Sequence, residues 1–344
     1  MQTLGKLIAG VCAILFVATG VIALLFFNVE RKAFSSATYK QAFENQKLYE
    51  RMPAILAGAL STSIAGNQNA GAYLKAFSAA DWEASISSIL PPEELKALTD
   101  DALDATFDYI NGKTDSAVVS VLPIKRHLTG ESSVEAVKQI LRAQLACTTE
   151  QLTQIAIGVL TGKDFILCNP PEEALGLITP LIESQLQFVT STFPNEVTLI
   201  SNARSGTPDD PRLRLNKARL IMKVTPILPL AFLIGIIIFA VRNLTGWLNW
   251  WGGPLLMTGA SSLVIAVLGS PVIGFIVERF MQTQGAGFMP PIFLSTIRET
   301  ASAVTGQILR PMVIEGLILA LLGLVMVVLA AFMKKRETAT TGVR

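Results

Sequence analysis

Residues 312–333, MVIEGLILALLGLVMVVLAAFM, contain a single ionisable side chain, Glu315, and run directly into Lys334, Lys335 and Arg336. A helix crosses a hydrocarbon core of roughly 30 Å with about 20 mostly apolar residues. This stretch is therefore long enough to span a membrane. The basic triplet behind it marks that end as cytoplasmic, because Lys and Arg collect in short flanks on that side. Three more stretches toward the N-terminus read the same way. Residues 255–277 hold no charge. Residues 218–242 are apolar from Thr225 to Val241, and Leu220–Met222 extend them if Lys223 reaches the interface along its aliphatic stem. Leu7–Phe27 is free of charge. The expected fold class is mainly α. It comprises four transmembrane helices plus a mostly helical extracytoplasmic domain, with minor β, inserted between the first and second spans.

Composition agrees. Charged residues make up 16% of the 344 and mean hydropathy is +0.50, against roughly 25% charged in soluble domains. The depletion is confined to the spans. Residues 28–217 hold 22 acidic and 17 basic residues, a balance of −5; the remainder holds 4 acidic and 11 basic, a balance of +7. A mildly acidic domain lacks the basic face that nucleic-acid binding needs, so no nucleic-acid partner is expected.

Counting outward gives an ordered layout. Residues 1–27 are a cytoplasmic end and first span, and 28–217 the extracytoplasmic domain. After the second span, residues 243–254 form a cytoplasmic loop with Trp247, Trp250 and Trp251, suited to an aromatic belt. The third span follows, then an outer loop over 278–311, the fourth span, and a cytoplasmic tail over 334–344. Arg31 and Lys32 fall on the outer side, but long translocated domains obey the charge rule poorly. The first span is longer than a signal-peptide core and no A-x-A pattern follows it, so it reads as a retained anchor. Short connections and a domain without glycosylation sequons suit a bacterial plasma membrane.

Within the domain, apolar residues recur at helical spacing over Thr38–Leu60, with Phe43, Met52, Ile55, Leu56 and Ala59, and again over Glu93–Ile110. Asp81 is expected to cap a short helix that Pro91-Pro92 ends. Ser132-x-x-Glu135 and Thr148-x-x-Gln151 have capping-box spacing, and Asn169-Pro170-Pro171 opens a helix through Leu186. Val118–Leu122 and Val197–Ile200 are β-branched stretches that either pair or remain extended. Asn202–Pro211 has linker composition.

Cys147 and Cys168 are the domain's two cysteines, and in an oxidising compartment such a pair is expected to form a disulfide. The lone histidine, His127, sits in Lys125-Arg126-His127 without nucleophile context. Asp100, Asp104 and Asp108 share a helix face, where a solvated acidic surface is the simpler reading than a cation site. No cofactor, metal or catalytic motif stands out.

In the spans, Lys223 and Glu315 lie at similar depth and are expected either to snorkel or to pair. Ser262, Ala266 and Ser270 on the third span, and Gly316 and Ala320 on the fourth, repeat every four residues, a small-xxx-small pattern that lets helices approach closely. Leu294, Ile297, Ala301, Val304 and Ile308 make an amphipathic stripe in the outer loop, expected as a surface or docking helix.

Three functions compete. The first is a non-enzymatic anchored protein whose outer domain binds a partner, ligand or envelope component, with self-association through bundle or domain as a further possibility. The second is a permease-like transport or mechanotransmission subunit, because one span, a large outer domain and three spans is similar in layout to permease subunits that partner ABC-type ATPases. That resemblance covers topology alone. The third is an enzyme with a site assembled from distant residues.

Overall fold

The computed structural model describes residues 2–67, 74–75, 77–142, 144–161, 168–201, 210–285 and 291–341. The chain divides into two compact units: residues 1–42, 203–277 and 298–344 form one, and residues 43–202 with 278–297 the other.

The first unit is a bundle of helices α1 (Gln2–Ala33), α10 (Pro211–Val224), α11 (Ile227–Ala240), α12 (Leu244–Gly285) and α13 (Pro291–Thr341). Four stretches are long and apolar enough to cross a membrane: Leu4–Ala33, Pro211–Ala240, Leu244–Thr283 and Phe293–Arg336. Their outward faces carry Ile14, Ile238 and Phe332, each exposed by two thirds or more. That is the surface a lipid-facing helix presents, since backbone polar groups are satisfied inside the helix. Pro226, which cannot donate an N–H, separates α10 from α11 within the second span.

The helices alternate in direction. Gly5 of α1 lies against the Phe239 carbonyl, and Gly235 against the Cys12 thiol, so α1 and α11 are antiparallel. Gly20 faces Thr258, and Phe16 packs with Trp250, Trp251 and Leu255, so α12 runs parallel to α1. Gly252 meets Val327, which turns α13 back. Both termini of the bundle therefore lie at one end.

Helices α12 and α13 are longer than expected, with 42 and 51 residues, or about 63 and 76 Å. Residues 244–254, read as a loop because of Gly252, Gly253 and Pro254, are instead the first turns of α12. The outer connection is likewise shorter than 278–311. The Leu294–Ile308 stripe belongs to the N-terminal part of α13 and is continuous with the fourth span, so it is no separate surface helix. Gly and Pro are tolerated inside membrane helices, where neighbours supply the missing stabilisation. Soluble-protein breaker rules overcounted loops here.

The second unit holds α3 (Leu48–Gly66), α4 (Ala79–Ile89), α5 (Pro92–Ile110), β1 (Ser116–Ser120), α6 (Leu122–Leu128), α7 (Glu131–Arg142), α8 (Thr149–Thr161), α9 (Glu172–Thr192) and β2 (Glu196–Ser201). The division falls in α2 (Ser36–Asn45). The expected helix over Thr38–Leu60 is broken at Lys47, whose φ of 49° is left-handed, and the break lets Leu48, Tyr49 and Ile55 enter the core. The two β stretches do pair, antiparallel, with Val119 opposite Val197 and a bulge between Ala117 and Val118.

Capping differs in detail. Ser78, not Asp81, caps α4; Asp81 sits three residues on and completes a reciprocal box. Ser132 lies inside α7, which begins at Glu131. Its neighbour Ser133 is the buried one, donating to the His127 carbonyl at 3.0 Å. Glu135 instead pairs with Arg142. The Thr148–Gln151 box forms as expected: each side chain accepts from the other's backbone N–H, at 2.9 and 3.2 Å. Helix α9 opens behind Pro171 and runs past Leu186 to Thr192. Of the Asn202–Pro211 linker, residues 202–209 lie outside the described residues, and Asp210 caps α10.

Cys147 and Cys168 form a disulfide. It sits within a core of Val134, Leu141, Ile155, Leu175, Ile178 and Ile182. A parallel bridge between Ala146 and Asn169 aligns the two segments beside it.

Candidate functional site

In the bundle, polar groups gather where the apolar spans end. Glu30, at the end of α1, has a side chain only 9% exposed; Arg219 Nη2 lies 3.1 Å and Lys223 Nζ 3.4 Å from its Oε1. The Arg219 guanidinium also covers the Phe34 ring at 4.6 Å. One carboxylate thus serves two cations from α10, an arrangement that offsets the cost of burying it.

Lys223 and Glu315, expected as a pair, are held apart by better partners. Lys223 reaches Glu30, while Glu315 Oε2 accepts from Asn28 Nδ2 at 2.6 Å. Asn28 itself is fully buried and also donates to the Leu24 carbonyl. Sequence reading missed both Glu30 and Asn28. They lie just past the apolar run, where polar residues ordinarily belong to water.

Beside this cluster lies a cavity of about 370 Å³ between α1, α11, α12 and α13. Its walls are almost wholly apolar, from Phe16, Leu233 and Leu255 at one end to Phe27 and Pro226 at the other. Glu315 is the one ionisable residue lining it, and Thr258 lines it as well. Thr258 is 1% exposed, and its Oγ1 has no hydrogen-bond partner; the same holds for Ser262 Oγ and Asn28 Oδ1 nearby in sequence or space. Helical Thr and Ser hydroxyls usually return a bond to the i−4 carbonyl. These two do not.

The small residues singled out on the third and fourth spans lie between α12 and α13. Ser270 donates to the Ser302 carbonyl at 2.6 Å, Ala266 joins Leu309 and Met312 in a buried cluster, and Ser262 is fully buried. Gly316 and Ala320 meet Gly259. Gly252, Gly259 and Gly323, which the four-residue pattern passed over, make the closest approaches, seven residues apart on each helix.

In the second unit, His127 Nε2 lies 3.3 Å from the Ser88 carbonyl, tying α6 to α4. Asp100 accepts from Tyr49 Oη at 3.1 Å and pairs with Lys96, and Asp108 pairs with Lys113. Burial and the adjacent Asp100 carboxylate raise the Tyr49 phenol above its ordinary value. The acidic face is thus occupied by local partners.

Compared with protein families, curated proteins and solved structures, the chain matches none.

Proposed function

We propose that this is a non-enzymatic, membrane-anchored binding protein whose inserted domain engages a protein or envelope component outside the cytoplasm. In this reading it resides in a bacterial plasma membrane with both termini cytoplasmic. The observation that carries it is an apolar surface on the second unit. Leu177 and Phe188, three turns apart on α9, are 81% and 66% exposed, and Phe193 and Leu199 continue outward exposure into β2. Scattered exposed apolar residues are ordinary, but large ones in sequence along one helix and its adjoining strand mark an interaction surface.

The permease-like alternative needs cytoplasmic surface for an ATPase. Helix α11 ends at Ala240 and α12 begins at Leu244, which leaves little chain there and weighs against it.

Two measurements test the proposal. A photocrosslinking residue at Phe188 in intact cells is expected to give a discrete protein or envelope adduct, and one at exposed Glu150 is not. Ser184→Cys should label with an impermeant maleimide from outside, and Arg336→Cys only after lysis. Reversed labelling, or adducts equal at Phe188 and Glu150, would overturn it.

A further inference from the structure

We propose that the cavity in the bundle takes an aliphatic chain from the bilayer, with a hydrogen-bond-donating head, a hydroxyl or amine, held at Glu315. This site is separate from the surface of the second unit and does not depend on the function proposed above.

Three observations meet at one place. The cavity lies among spanning helices whose outer faces are apolar, so its natural occupant comes from hydrocarbon rather than water. A volume of about 370 Å³ falls within the range of small-ligand pockets, roughly 300–1,000 Å³. Along α1 the lining runs from Phe16 to Phe27, about 16 Å of helix rise, an elongated shape suited to a chain.

The polar groups fix the head. Glu315 lines the cavity and accepts from Asn28, so it presents carboxylate oxygen to an occupant. Thr258 Oγ1, one side chain away in the same wall, is buried without a partner. A buried hydroxyl left unpaired is costly, and a donor–acceptor head satisfies it. An alcohol or amine can donate to Glu315 and meet Thr258, whereas an ionised carboxylate or phosphate places like charge beside Glu315 in a low-dielectric setting. The geometry also sets direction. With its head at Glu315, the far end of the chain reaches Phe16 and Leu255, around which Trp250 and Trp251 pack.

Those tryptophans report the site. The full chain in detergent is titrated at alkaline pH with three probes brominated at the chain terminus: an alkanol, an alkanoate and an alkane. The alkanol is expected to quench tryptophan fluorescence saturably, at a half-saturating concentration about tenfold below the alkanoate's, the ratio given by roughly 1.4 kcal/mol. The alkane is expected to show only linear, partition-type quenching. Glu315→Gln should compress the alkanol–alkanoate ratio to within about twofold. Should that variant fail to fold, Thr258→Val should weaken the alkanol several-fold and leave the alkanoate unchanged. Quenching that is linear for all three probes, a ratio near one in the wild type, or a ratio untouched by either variant, overturns the proposal.

Discussion

Gly259 of α12 lies so close to Gly316 of α13 that a Cβ on Gly259 would fall 2.5 Å from the Gly316 carbonyl oxygen. The relation repeats one heptad away, where a Cβ on Gly323 would fall 2.7 Å from the Gly252 oxygen. Two glycines on each helix, matched in antiparallel register, let the backbones of the last two spans touch. Packing of this kind is what holds helices together where lipid removes the hydrophobic drive.

Adding a methyl group there must force the helices apart. Gly259→Ala and Gly323→Ala are each expected to destabilise the detergent-solubilised chain by about 1–3 kcal/mol, the usual range for overpacking. Gly253, one residue from Gly252, has open space around its Cβ direction. Gly253→Ala should therefore be neutral or gain up to about 1 kcal/mol from helix propensity. Thermal unfolding of the three variants checks this, and equal melting points would refute it.

The same hairpin shows how far sequence carries. The spans, their number and the insertion between the first two were readable, because length and hydropathy are direct consequences of the bilayer. The disulfide was readable because two cysteines in one domain leave one pairing. Loop boundaries were not. Gly252, Gly253 and Pro254 punctuate soluble chains, yet here they serve close packing within α12. Partner choice was not readable either. Lys223 and Glu315 match in depth, but Glu30 and Asn28 claim them through the three-dimensional arrangement of α1. The cavity left no signal, since its lining residues are the same Leu, Phe and Pro that any span contains.

The disulfide joins residues separated by 21 positions, and closing such a loop is worth roughly 3 kcal/mol in chain-entropy terms. Because its sulfurs lie in the core formed by α7, α8 and α9, loss should act locally. Cys147→Ser with Cys168→Ser is expected to accelerate amide exchange in α7 and α9 while leaving α1 and α11 protected. In the native chain, a thiol reagent under denaturing, non-reducing conditions should label Cys12 alone. Labelling of three thiols in protein isolated without reductant would contradict this.

Glu30 and Lys223 give a paired test of burial. The Glu30 side chain is 9% exposed and Lys223 is 57% exposed. Removing a buried carboxylate that two cations share costs about 3–5 kcal/mol in comparable settings, whereas an exposed pair is worth about 0–1 kcal/mol. Glu30→Gln should therefore lower stability by roughly 3 kcal/mol or more, and Lys223→Gln by less than about 1 kcal/mol. Denaturant unfolding of the purified chain measures both. Losses of the same size would show that Lys223, not Arg219, holds Glu30.

Two capping boxes in the second unit differ in one chemical respect. Asp81 accepts from the Ser78 N–H at 2.9 Å, and Gln151 accepts from the Thr148 N–H at the same distance. Only the first can titrate. The Ser78 hydroxyl and N–H hold the Asp81 carboxyl below its ordinary range, so the ionised form favours the folded state. That contribution is fully present above the unfolded value of about 3.9 and is lost as pH falls through the lower folded value. Asp81 is exposed, so the effect is small, at most about the 0.5–1 kcal/mol of a surface cap. Exchange at the Ser78 amide, corrected for intrinsic rate, should accelerate between neutral and strongly acidic pH, while the Thr148 amide keeps its protection. Asp81→Asn should abolish the pH dependence at Ser78. Parallel acceleration at both amides would mean that general acid unfolding, and not this carboxylate, governs the helix start.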